Sequence, residues 1–217
     1  MIEHPGLEED ASLPARKVLE WLGWLYEGTI NGIPGVDGVE SLAQSHSTGR
    51  GSSDDDIARL INGQVAKAGA AGFVTGVGGI LTLPVAIPAN LAGVLYIQIR
   101  MIGAIAYLRG YDVRSDQVKT LVIACLAGSA VFDILKDVGI NIGSQVTKEI
   151  ILRISGEVLK RINRAVGFRL VTKAGSKGAV NLAKGVPFVG GVVGGTFDAV
   201  ATRLIGQTAK QVFVRLP

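Results

Sequence analysis

Along the chain the apolar positions recur at helical spacing or run on unbroken, and nowhere do they alternate over a length that would make a convincing strand. Val18, Leu19, Leu22, Leu25 and Tyr26, with Trp21 and Trp24 beside them, mark an amphipathic helix whose start is signalled by Ser12 and Pro14. The two tryptophans fit either a core or a membrane-interface helix. From Asn31 to Ser53 the glycines, serines and Pro34 break any period, which predicts a loop with His46 solvated in it. Ser53, followed by Asp54, Asp55 and Asp56, predicts a helix N-terminus, with a capping hydroxyl and carboxylates at the positive end of the macrodipole.

The next stretch, Ala68 to Ile99, has 32 residues without a charge. Its length would allow a membrane-spanning helix of about 20 residues. Pro84 and Pro88 divide it, however, into arms of roughly 16 and 11 uncharged residues, the second continuing through Arg100 toward Leu108. The pattern is that of a helical hairpin, either buried in a core or inserted in a bilayer. Gly72 and Gly76, Gly190 and Gly194, and Gly191 and Gly195 repeat the four-residue spacing at which helix backbones approach closely. Ser115 starts a further helix through Leu121 to Phe132, after the turn Gly110-Tyr111-Asp112. Ile151, Ile154, Val158 and Ile162 form an apolar stripe opposite Arg153, Lys160 and Arg164, and a last helix runs past Asp198 and Arg203 to Phe213. Together these elements predict an all-α bundle of about seven to nine helices with no sheet.

Charge divides the chain. Residues 1–56 carry eleven acidic residues against three basic, a net of −8, while the nineteen basic and seven acidic residues that follow give +12. We therefore expect an acidic N-terminal helix and loop, 1–56, ahead of a basic helical domain, 57–217. Nine basic residues against two acidic ones fall between Lys148 and Lys184. Within that stretch Arg153, Lys160, Arg161, Arg164 and Arg169 are the candidate contacts to anionic lipid. Nucleic acid is a poorer fit, because no aromatics interleave with these charges and no reading motif accompanies them. Apolar residues make up 48% of the chain and charged ones 18%, against roughly 25% charged in an average globular domain, which moves the balance toward membranes.

Candidate chemistry is sparse. His4 and His46 both lie in polar N-terminal sequence, so no Ser-His-Asp set can be drawn, and no spacing of ligands suits a metal or cofactor. Cys125 sits in an apolar run, as a buried inert thiol does. Gly175-Ser176-Lys177-Gly178 lacks the order of a phosphate loop. Charges within apolar helices are expensive and tend to be paired or functional. On that ground Arg100, Asp112, Asp133, Asp198 and Arg203 are the candidate buried polar residues, with Arg100 expected to pair with an acid.

Several motifs occur in order: Gly72-Phe73-Val74-Thr75-Gly76-Val77-Gly78-Gly79, the Pro84 to Pro88 break, Arg100-Met101-Ile102-Gly103-Ala104-Ile105-Ala106, Gly110-Tyr111-Asp112, and the closing Val186-Pro187-Phe188-Val189-Gly190-Gly191 with Asp198. Over roughly residues 57–214 they resemble the EcsC family. That family is named for a protein encoded beside an ABC-type exporter, and the resemblance implies a bacterial, membrane-linked setting without implying a reaction. The family's proline break often carries an acidic residue where this chain has Ala86, so no role of that carboxylate transfers. The resulting expectation is a cytoplasmic protein peripheral to or inserted in the inner membrane. It would bind anionic lipid, insert its glycine-rich hairpins, or do both, perturbing the bilayer or assisting a transporter or other membrane protein, as a monomer or an oligomer. The alternatives are a soluble helical interaction module and, further off, a hydrolase built on Asp112, Asp133 and Asp198 with Arg100, Arg109 and Arg203.

Overall fold

The computed structural model describes residues 6–48, 53–70, 89–140, 148–173 and 190–214. These form nine helices: α1 (Gly6–Asn31), α2 (Val39–Gln44), α3 (Asp54–Gly69), α4 (Ala89–Leu108), α5 (Asp116–Cys125), α6 (Ala130–Asp137), α7 (Lys148–Leu152), α8 (Gly156–Lys173) and α9 (Gly190–Val212). Among the described residues there is no strand, only a single antiparallel bridge between Ile33 and Val36, so the expected all-α class is what is found.

Helix α4 is the axis. Its run from Ile99 through Met101, Ile102, Ala104, Ile105 and Ala106 is buried on every side, and α1, α2, α3, α5 and α9 all pack against it. A helix apolar all round suits such a position. It is the second arm of the expected hairpin; the first arm and the proline break, 71–88, lie outside the described residues, as do residues 174–189, while the glycine run from Gly190 to Gly195 forms the start of α9. Trp21, Leu22, Leu25 and Tyr26 of α1 join the same apolar core as the later helices, so the acidic N-terminal part and the basic body share one interior. Among the described residues, no helix is long and apolar enough to cross a membrane.

Three boundaries differ from expectation. Helix α1 begins at Gly6 and so contains Pro14. The segment expected as a loop holds α2, whose Val39, Leu42 and Ala43 are buried against α4. Six residues with three apolar ones are too short to show a period, and only tertiary packing makes them a helix. The helix expected from Ser115 to Phe132 breaks after Cys125, where Gly128 takes φ +65° and donates its N–H to the Cys125 carbonyl at 2.9 Å. A glycine inside an apolar run is free to turn the chain into the left-handed region, and the periodicity on either side does not reveal it.

Candidate lipid-facing surface

The N-terminus of α3 shows how the charged residues are arranged. Ser53 caps the helix, its hydroxyl accepting from the Asp56 N–H at 3.1 Å while the Asp56 carboxylate accepts from the Ser53 N–H at 3.1 Å. Asp56 is buried, also takes Thr48 and Arg59, and is held below the usual carboxylate range chiefly by the bond from the Ser53 backbone. Asp54 accepts from Lys210 at 3.0 Å and from Arg109 at 2.5 Å, and the two cations, Lys210 first, hold its carboxyl low. One carboxylate thus ties α3 to the C-terminal ends of α4 and α9. These bonds account for two of the three adjacent aspartates, and among the described residues no group of three or more His, Cys, Asp and Glu could hold a metal.

Of the five candidate buried polar residues, Arg100 is buried, Asp198 is half-buried with its carboxyl pushed up by desolvation, and Asp112, Asp133 and Arg203 are exposed. The expectation of buried pairs among them needs correcting. Asp112 lies in the turn after α4 and accepts from the Arg114 N–H at 2.9 Å, a local turn bond that keeps it at the surface. Asp133 stands on the outward side of α6 and meets Arg169 at 3.8 Å. Arg203 lies on the solvent side of α9, because Thr202, Ile205 and Ala209 turn inward. Among the described residues no hydrogen bond or ion pair joins any two of the five. Cys125 is fully buried and its thiol is pushed up by burial, the opposite of what a nucleophile needs. His46 is half-buried, with Nδ1 3.0 Å from the Leu42 carbonyl.

The basic candidates are better gathered. Helix α8 seats Ile162 and Val166 in the core and presses Gly167 against α1, where an added Cβ would lie 2.9 Å from Leu19 Cδ1 and 3.3 Å from Ala15 Cβ. That seat directs Lys160, Arg161 and Arg164 outward, all exposed, with Glu157 as the acid on the same side. Phe168, one turn beyond Arg164, is 58% exposed. Arg153 is exposed just before α8, beside the exposed Ile150 and Leu152 of α7. Arg161 also donates to the Asp137 carbonyl at 3.3 Å, and Arg169 turns aside toward Asp133. The result is a row of cations mixed with bulky apolar groups.

The EcsC protein family matches residues 36–216, most of the chain. The chain belongs to the EcsC family. The match takes in α2, ahead of residue 57 where the resemblance was expected to start, consistent with α2 being part of the core. No curated protein and no solved structure matches this EcsC chain. The exposed apolar residues of α7 and α8 were missed from the sequence, although Phe168 following Arg164 by four residues carries the signal that an aromatic shares the basic face of this EcsC helix.

Proposed function

We propose that this EcsC protein binds anionic membranes peripherally through the outer face of α8, with Lys160, Arg161 and Arg164 over the headgroups and Phe168 at the acyl boundary. The observation that carries the reading is the exposed phenyl ring on the same face as three cations. A solvated charged face has no need of a large aromatic more than half exposed, whereas such a ring beside cations is what an interfacial helix presents. Each basic residue near an anionic leaflet contributes ~1 kcal/mol, so a few together recruit a protein without a permanent anchor.

Flotation with neutral and with phosphatidylglycerol-containing liposomes tests it. Binding is expected to need the anionic lipid and to weaken as salt shortens the screening length below its ~10 Å at 0.1 M. The triple change Lys160→Gln, Arg161→Gln and Arg164→Gln should weaken binding by up to ~3 kcal/mol at low salt, and Phe168→Ala should weaken it with little change in salt dependence. Binding that the triple variant keeps, with full salt resistance, would move the membrane contact to the glycine-rich segments. No binding of the natural protein to any bilayer would favour a second reading, a protein-binding module. That reading has its own support in α9, where Phe197, Val200 and Leu204 are 73%, 54% and 61% exposed at the spacing of helix-in-groove anchors.

A further inference from the structure

Arg100 is 7% exposed in the middle of the apolar axis helix, and among the described residues nothing pairs with it. Its Nε is buried without a hydrogen-bond partner. The two Nη groups are not among the buried unpartnered atoms and take no bond from a described residue, so they are the part of the guanidinium that solvent reaches. The acid that acts on Arg100 across space is Asp37, exposed in the chain leading into α2, with Tyr96 one turn away on α4. Val39 lies against Gly103, the next turn of α4, which puts the Arg100 side of the helix next to that chain. A guanidinium stays charged even in such a place, and an uncompensated buried charge costs several kcal/mol. Proteins that keep such a residue give it a direct counter-ion, and among the described side chains none forms an ion pair or hydrogen bond with it, Asp37 acting only across space.

We propose that Arg100 anchors an oxyanion site that takes a phosphate group, on the side of α4 facing Asp37. The planar fork of the guanidinium matches two phosphate oxygens at once. The body around it, +12 from residue 57 onward, favours an anion that carries more charge than a lone carboxylate. The phosphate is that of a free small molecule or of a lipid headgroup; the chemistry at Arg100 is the same. Asp37 opposes it and sets how tightly it is held. The site is separate from the α8 face and does not depend on the membrane reading.

Thermal melts of the full chain in phosphate-free buffer, with added inorganic phosphate, and with vesicles of phosphatidylglycerol in phosphatidylcholine test the proposal, with chloride at matched ionic strength as control. The natural protein should be stabilised by phosphate beyond the chloride control if the ligand is a free phosphate, and by the vesicles alone if it is a headgroup. Arg100→Met should weaken that binding by about a hundredfold, and Arg100→Lys should do so by less, because an ammonium keeps the charge but not the fork. Without ligand, Arg100→Met should melt no lower than the natural protein, since it removes an unpaired buried charge. Asp37→Asn, at an exposed position, should bind phosphate more tightly. The α8 triple variant separates the two sites, because it should retain the phosphate response. A natural protein that responds to neither phosphate nor phosphatidylglycerol, or an Arg100→Met variant that responds equally, overturns the proposal.

Discussion

Gly38 stands so close to α1 that a Cβ there would lie 2.5 Å from the Ile30 carbonyl oxygen. The obstacle is backbone, which cannot swing aside as the end of a flexible side chain can. Gly38→Ala should therefore destabilise by at least about 2 kcal/mol in urea unfolding, although methyl addition at a surface glycine is ordinarily benign. A variant as stable as the natural chain would show that the approach of α2 to α1 is loose. Asp54 makes a second prediction at this scale. Its folded pKa is lowered by Lys210 and Arg109, so it contributes stability above its ordinary unfolded value of about 4, and that contribution is lost as pH falls through the lowered folded value. Asp54→Asn should lower stability at neutral pH by about 1 kcal/mol, the carboxylate being largely exposed, and should flatten the acid limb of a stability-against-pH curve. An unchanged acid limb would assign the acid sensitivity elsewhere.

At the scale of elements, the contact between α4 and α9 contains a buried hydrogen bond, Gln98 Nε2 donating to Thr202 Oγ1 at 3.1 Å. Thr202→Val leaves the Gln98 amide unsatisfied in an apolar seam and should cost about 1–3 kcal/mol. Adding Gln98→Leu should recover part of that loss, and a double-mutant cycle measures how much. Strictly additive losses would mean that the bond contributes nothing of its own. These elements also show what the chain discloses in advance. The α3 cap was legible because a hydroxyl followed by carboxylates has a local cause, and α4 and α8 were legible from their apolar positions. Helix α2 and the break at Gly128 were not, because packing against α4 makes the one and a single backbone torsion the other. Among the functional candidates, the basic row of α8 was visible as charge spacing. Burial of Arg100 was visible from its apolar neighbours, but its want of a partner was not, since pairing depends on which residues of other helices arrive beside it. Asp133 and Arg203 were misjudged for the same reason: an outward-facing position looks the same as an inward one when the partner helix is unknown.

For the whole molecule, the central position of α4 bears on what a membrane can do to this fold. With five helices packed around it, α4 cannot leave its place by a hinge or a slide of one neighbour. Its amides should be the slowest to exchange hydrogen for deuterium, opening only with the whole native state, while those of α8 exchange through smaller fluctuations. The same measurement on protein bound to anionic vesicles then acts as a depth gauge. If the α4 amides keep their protection while α8 slows, the protein rests on the bilayer as a folded body; if α4 and the rest lose protection together, the bilayer has taken the fold apart.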